Sequence, residues 1–156
     1  MSENLTESQS EINGLVSKAV KALEEFASFD QEKIDYIVAK ASVAALDQHG
    51  SLAKLAVEET KRGVFEDKAT KNLFACEYVV NHMRHLKTVG IVDDDEVSGI
   101  VKIAEPVGVV AALTPVTNPT STAIFKSLIC LKTRNPIIFS FHPSAIQCSI
   151  AAAKVV

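Results

Sequence analysis

The chain has 156 residues, of which 47% are apolar and 22% charged, and its formal net charge is −3. This composition excludes an intrinsically disordered protein, and the slight negative charge offers no attraction to nucleic acid or to an anionic membrane. No run of about 18 uncharged apolar residues could span a bilayer, and the polar, acidic N-terminus is unlike a secretory signal, so we expect a cytoplasmic protein.

Residues 1–86 are predicted to form four helices, because apolar side chains recur at the 3.6-residue spacing of a helix face. The first apolar face spans residues 12–26, and Asp30 supplies the cap that begins the second helix. Gly50 is expected to end the second helix, and the fourth helix is expected over residues 66–86. This segment is interpreted as a helical N-terminal layer.

Residues 87–105 are rich in β-branched side chains and are predicted to form a β-hairpin arm. Its strands are expected near residues 89–92 and 97–104, on either side of an acidic turn at residues 93–96. Two strands by themselves leave their edges unpaired, which favours pairing with another subunit. The arm is therefore interpreted as the oligomerisation element of a homo-oligomer.

Residues 106–156 alternate strand and helix, the pattern of a parallel sheet with crossover helices. An unbroken apolar strand at 107–113 is followed by a helix that ends at Leu131, a strand at 136–139 and a last helix from about residue 144. This unit is half of a doubly wound sheet. The fold class is therefore α/β with an incomplete parallel sheet, and we expect the chain to be a fragment of a larger protein.

The loop at residues 114–118 is the candidate site, because ligands bind at the carboxyl ends of the strands in doubly wound sheets. Pro119 fits the first position of the next helix, and Asn118 precedes it. The Asn118 side chain could cap that helix, or its amide could hydrogen-bond an oxyanion that develops in a transition state. The residues alone leave both interpretations open. The usual dinucleotide fingerprint GxGxxG is absent, since Gly108 is isolated.

Four stretches of the sequence carry longer motifs: FEDK at residues 65–68, AEPVGVV at 104–110, PVTNPTSTAIFKSL at 115–128 and LKTRN at 131–135. Together they resemble the CoA-acylating aldehyde dehydrogenases, and most closely the aldehyde dehydrogenase half of the bifunctional aldehyde–alcohol dehydrogenases. The likeness runs from about residue 12 to the end of the chain. It corresponds to the N-terminal part of such a dehydrogenase domain.

The resemblance implies an atypical Rossmann-type sheet that binds NAD, with a small aldehyde and CoA as substrates. In this family the Asn118 amide contributes to the oxyanion hole of a thiohemiacetal, which forms on a nucleophilic cysteine. That cysteine is expected beyond Val156, so we expect the parent protein to be the enzyme and this chain alone to be inactive. The cofactor-binding positions that the resemblance implies are Leu113, Thr114, Pro115, Val116, Thr117, Asn118, Ser140 and His142.

Two departures from family patterns refine this expectation. Thr117 stands where hydrolytic aldehyde dehydrogenases usually carry an aromatic residue, which favours the CoA-using branch. In the loop at residues 140–144, Phe141 replaces a proline and Ser144 replaces an arginine; this loop is expected near the adenosine end of NAD or CoA. A hydrolytic aldehyde dehydrogenase and a non-catalytic binding or assembly module are the alternative functions.

The cysteines and the histidine pair are interpreted as structural. Cys76, Cys130 and Cys148 lie far apart in apolar stretches, as buried free thiols do. His82 and His85 lack a third ligand, so no metal site is predicted.

Charged side chains leave two further alternatives. The acidic run at residues 93–96 lacks the glycine-bearing loop of an EF-hand and is interpreted as a solvated turn. Lys126, Lys132 and Arg134 either meet cofactor phosphates or lie on a solvated helix face, and the solvated face is favoured.

Overall fold

A computed structural model of the chain describes residues 6–156, in which helices precede a hairpin and a strand–helix–strand–helix unit. The helices are α1 (Glu7–Ala27), α2 (Gln31–Asp47), α3 (His49–Thr60), α4 (Phe65–Leu73), α5 (Val79–Met83), α6 (Pro119–Lys132) and α7 (Ile146–Val155). The strands are β1 (Gly90–Asp95), β2 (Ile100–Ala104), β3 (Val110–Leu113) and β4 (Ile137–Ser140). The two remaining elements are a π-helical turn (Phe74–Tyr78) between α4 and α5 and a 3-10 turn (Pro143–Ala145) before α7.

Side-chain caps begin the first two helices. Thr6 and Gln9 form a capping box, in which the Gln9 N–H donates to Thr6 Oγ1 at 3.3 Å and the Thr6 N–H donates to Gln9 Oε1 at 2.8 Å. The predicted cap of α2 is confirmed, because the Asp30 carboxylate accepts the N–H of Lys33 at 2.8 Å.

The boundary between α2 and α3 differs from the prediction. α2 ends at Asp47 and Gly50 lies within α3, so the prediction that Gly50 ends the second helix is wrong. A helix commonly ends at a residue with left-handed backbone, and here that residue is Lys61 (φ 55°) after α3.

The π-helical turn interrupts the predicted fourth helix. Ser42 of α2 donates its hydroxyl to the Cys76 carbonyl at 2.6 Å, and such an inserted side chain competes with the helix's own hydrogen bonds. A π turn holds one extra residue, which changes the side chains that share a face. The helix then ends at Met83, before the predicted end at residue 86.

β1 and β2 form the predicted antiparallel hairpin arm. The acidic residues 93–95 lie within β1, so the prediction of a turn at 93–96 is wrong. The turn comes later because the Asp95 carboxylate accepts the N–H groups of Val97 (3.0 Å) and Ser98 (3.2 Å) and so stabilises it there.

β3 and β4 pair in parallel, with Leu113 opposite Ser140, and α6 is the crossover helix between them. This arrangement confirms the α/β class and the strand–helix–strand prediction. β3 begins at Val110, later than the predicted residue 107. Gly108 explains the difference, since it has φ 118° and donates its N–H to Asn135 Oδ1 at 3.0 Å.

The hydrophobic core lies between α2, the π-helical turn, α6 and α7. Ile34 of α2 and both Ile124 and Leu128 of α6 are completely buried, and each contributes roughly 1.5–3 kcal/mol of transfer free energy. No helix in residues 6–156 combines the length and apolar character needed to cross a membrane.

Two cations at the end of α6 are buried and not part of a solvated face. Lys132 pairs with Asp35 of α2. Arg134 donates to the backbone carbonyl oxygens of Ala27 at 2.7 Å and Ala104 at 3.1 Å. These bonds tie the end of α1 and the base of the arm to the crossover helix.

Candidate functional site

The loops that follow β3 and β4 lie side by side at the edge where the sequence predicts the site. Leu113 and Ser140 are direct partners in the parallel ladder, and Thr114 donates its N–H to the Ser140 carbonyl at 3.0 Å. The structure therefore brings residues 113–118 close to residues 140–142.

The predicted cofactor-binding side chains differ in exposure. Leu113 is 73% exposed, whereas Thr114 is buried. Val116 is half-buried and packs against the small cluster that contains Cys148. Thr114 and Val116 therefore anchor the loop. The exposed side chains are Leu113, Pro115, Thr117 and Ser140.

Asn118 occupies the N-cap position of α6, but its side chain makes no capping hydrogen bond. Its Oδ1 instead accepts a hydrogen bond from Lys71 Nζ of α4 at 3.0 Å. Pro119 takes the first helical position, as predicted, and is fully buried. The capping interpretation of the Asn118 side chain therefore does not describe this structure.

α4 holds the same loop through two buried side chains. Lys68 donates from Nζ to the Thr117 carbonyl at 3.0 Å. Asn72 is fully buried; its Oδ1 accepts from Thr120 Oγ1 at 2.8 Å, and its Nδ2 donates to the His49 carbonyl at 2.9 Å. The Thr117 carbonyl before Asn118 and the Thr120 side chain after it are thus both hydrogen-bonded to α4.

Three site residues were not predicted from the sequence: Lys68, Lys71 and Asn72. Their spacing of three and four residues was the available signal, because it places them on one helix face. Burial lowers the pKa of the Lys68 ammonium, and the nearby charge of Lys71 lowers it further.

A mostly apolar cavity of about 470 Å³ opens beside Asn118, between α4, the π-helical turn, α5 and α6. Its size admits a small organic molecule, and the side chains of Lys71 and Asn118 supply polar groups in its wall. The residues that line it are Lys71, Phe74, Ala75, Val79, Asn118, Ser121, Thr122 and Phe125.

The loop after β4 is fixed by polar contacts at the start of α7. His142 Nδ1 accepts the N–H of Ser144 at 3.1 Å, so the neutral ring carries its proton on Nε2. The Glu59 carboxylate of α3 accepts the N–H groups of Gln147 (2.9 Å) and Cys148 (2.7 Å). Burial alone would raise the pKa of Glu59, but its hydrogen bonds to Cys148 and Gln147 together hold that pKa below the ordinary value.

The three thiols are buried, as predicted. Burial raises the pKa of Cys76 to about 11, and burial together with the neighbouring Glu59 raises that of Cys148 to about 12. Burial also raises the pKa of Cys130. A thiol in this state is a poor nucleophile near neutral pH.

Residues 6–156 contain no group of three or more His, Cys, Asp or Glu side chains that could hold a metal ion.

The family model described as "Aldehyde dehydrogenase family" matches residues 3–156. Aldehyde-alcohol dehydrogenase 2 of Entamoeba histolytica is 71% identical over 147 residues, which cover 93% of this chain and 17% of that protein. The chain thus spans a small part of the curated relative that it matches.

Solved structures share this arrangement. An acetylating aldehyde dehydrogenase from Geobacillus thermoglucosidasius matches with a TM-score of 0.91 and 46% identity, over 94% of this chain and 32% of that chain. A propionaldehyde dehydrogenase from Rhodopseudomonas palustris, solved with bound CoA and an acylated cysteine, matches with a TM-score of 0.75 and 28% identity. That match covers 92% of this chain and 33% of that chain.

The Glu59 carboxylate holds the start of α7, and its contribution to stability depends on pH. Glu59 has a lowered pKa in the folded protein, so its contribution to stability is full above the ordinary value of 4.5 and is lost as the pH falls through the folded pKa. Glu59→Gln is expected to lower Tm by a few degrees at neutral pH, and this difference from the parent is expected to shrink in acid. Thermal melting from about pH 7 to pH 3 measures it.

The matched control is the neighbouring Glu58→Gln, because Glu58 is exposed and its ion pair within residues 6–156 is a weak one with Lys54 at 4.0 Å. Its Tm should follow the parent at every pH. An unchanged Tm for Glu59→Gln at neutral pH would contradict the proposed stabilisation of α7.

Proposed function

The chain belongs to the aldehyde dehydrogenase family, and we propose that it is the N-terminal part of an NAD-dependent acylating aldehyde dehydrogenase. The reaction proposed for the whole protein interconverts a short aldehyde plus CoA and the corresponding acyl-CoA, with acetaldehyde as the expected aldehyde. The names of its relatives support the acylating reaction over the hydrolytic alternative, since the Geobacillus enzyme is described as acetylating.

The Asn118 amide is the observation that carries this proposal. When a thiolate adds to the carbonyl carbon of an aldehyde, the carbonyl oxygen becomes an oxyanion that needs hydrogen-bond donors. Asn118 does not cap α6, and its oxygen already accepts from Lys71. Its Nδ2 group is therefore the donor that remains for an oxyanion at the mouth of the loop.

The cavity beside Asn118 supports a short aldehyde as substrate. Its wall is mostly apolar, with Phe74 and Phe125 beside Ala75. Such a wall shelters the alkyl part of the aldehyde from water, while the carbonyl oxygen lies toward the polar Asn118 amide.

The residues at the ends of β3 and β4 fit a nucleotide cofactor. Leu113 offers exposed apolar surface, and Ser140 offers an exposed hydroxyl in the adjacent loop. His142 retains an Nε2 proton to donate, and Thr114 Oγ1 is buried without a partner within residues 6–156. NAD held at this edge would supply the hydride acceptor for oxidation of the aldehyde carbon.

CoA is the proposed acyl acceptor. The Rhodopseudomonas relative is described with bound CoA and an acylated cysteine, and Thr117 lacks the bulk of the aromatic residue usual in hydrolytic enzymes. The Thr117 side chain is exposed at the loop beside Asn118.

We also propose that the nucleophilic cysteine lies outside residues 1–156. The three thiols of this chain are buried with raised pKa values, so each stays protonated near neutral pH.

The chain alone is expected to form no NADH from acetaldehyde, CoA and NAD. In the full-length protein, Cys130→Ala and Cys148→Ala are expected to retain acyl-enzyme formation per folded molecule. Loss of the acyl-enzyme in either folded variant would identify a nucleophile within this chain.

The arm is proposed to join neighbouring subunits of a homo-oligomer. Its two strands pair only with each other within the described residues, and Ile91, Ile100 and Ile103 are about half exposed.

Sedimentation of the full-length protein is expected to show a dimer or larger species. Ile103→Asp should favour smaller species, whereas Val43→Asp on α2, where the side chain is similarly exposed, should not. A stable monomer of the parent protein would contradict this proposal.

The decisive test of the site is Asn118→Ala in the full-length protein. Removing an oxyanion-hole donor is expected to lower kcat by about 10²–10³, because the lost hydrogen bond belongs to the transition state. NAD affinity and Tm are expected to change little, since the side chain does not cap α6. The measurements are kcat, NAD affinity and Tm, with rates normalised to folded protein.

Asn81→Ala is the matched control, because Asn81 is an exposed asparagine whose side-chain oxygen accepts from Arg84, the residue that follows α5. It should keep the parent kcat. A near-normal kcat for Asn118→Ala would show that its amide does not hold the oxyanion.

A further inference from the structure

We propose that Lys71 is a positioning residue for the reaction, which orients the Asn118 amide so that its Nδ2 group donates to the oxyanion. This inference rests on the proposed function of Asn118. It assigns to α4 a role beyond packing, because Lys71 determines which end of the amide is presented to the substrate.

The direction of the hydrogen bond between Lys71 and Asn118 determines how the amide is oriented. A lysine ammonium has three donors and no acceptor, so only the oxygen of an amide can face it. Lys71 Nζ lies 3.0 Å from Asn118 Oδ1. The opposite orientation of the amide would place two donors against a cation. The contact therefore selects one orientation, in which Nδ2 points away from Lys71.

The residues on both sides of Asn118 are fixed by their contacts, so the orientation of its side-chain amide is what can still vary. The carbonyl of the preceding Thr117 accepts from the buried Lys68, and the buried Pro119 begins α6. Thr120 is tied to the buried Asn72. The backbone around Asn118 is thus held on both sides, while within residues 6–156 its side chain has Lys71 as its one hydrogen-bond partner.

The charge of Lys71 adds to the effect of its geometry. An ammonium that donates to the amide oxygen withdraws electron density from the amide, which strengthens the donor at Nδ2. Lys71 and Asn118 line the same cavity, together with the rings of Phe74 and Phe125.

The test compares Lys71→Met and Lys71→Arg in the full-length protein. Methionine keeps the unbranched apolar chain without a donor, and arginine keeps both donor and charge; both residues suit an exposed helix position. Lys71→Met is expected to lower kcat by about 10- to 100-fold, as loss of a positioning contact does. KM for CoA, NAD affinity and Tm should change little, and Lys71→Arg should restore part of kcat. Lys54→Met, at an exposed lysine that pairs with Glu58 at 4.0 Å, should match the parent.

A double-mutant cycle with Asn118→Ala decides whether Lys71 acts through the amide. If it does, Lys71→Met should cost almost nothing further in kcat once Asn118 is alanine, because the two losses share one interaction. Equal losses in both backgrounds would overturn the inference, as would a normal kcat for Lys71→Met beside an impaired Asn118→Ala. A normal kcat for Asn118→Ala would overturn both the proposed role of Asn118 and this inference. Should Lys71→Met not fold, Lys71→Ala replaces it in the same cycle.

Discussion

The hydrogen bonds of Asn72 determine how the helices around the site are assembled. Its side chain is completely buried, and a buried amide is tolerated only where its donor and acceptor are both satisfied. Nδ2 donates to the His49 carbonyl at the start of α3, and Oδ1 accepts from Thr120 in the first turn of α6. One side chain of α4 therefore fixes two other helices. The loop that leads into α6 takes its position from that arrangement.

Buried cations follow the same rule elsewhere in the fold. Lys68 donates to the Thr117 carbonyl, Lys132 pairs with Asp35, and Arg134 donates to two backbone carbonyl oxygens. A charged group out of water is costly unless it is paired or hydrogen-bonded, so each of these contacts specifies which segments lie together. The arm, the first helix and the candidate loop are all held in this way. At the candidate loop, the Asn118 Oδ1 accepts from Lys71, whereas its Nδ2 group has no partner within residues 6–156.

The site of this chain supplies hydrogen-bond donors and an apolar wall but no activated thiol. Burial keeps Cys76 and Cys148 protonated, and the carboxylate of Glu59 reinforces that at Cys148. In the proposed enzyme, the segment binds and orients the reacting carbonyl, and the nucleophile comes from elsewhere in the protein. This proposed division of the site between two segments agrees with the Entamoeba histolytica relative, in which this chain matches 17% of the length.

By itself the sequence determined the order of helices and strands, the parallel pair and the place of Asn118 before Pro119, because periodicity and helix-start signals are local properties. The tertiary structure alone decided what Asn118 contacts, since Lys71 lies 47 residues away and a lysine on a helix face looks solvated until its acceptor is known. The π-helical turn likewise depends on Ser42 of another helix. Buried polar partners join distant segments, and no local pattern encodes which of them will meet.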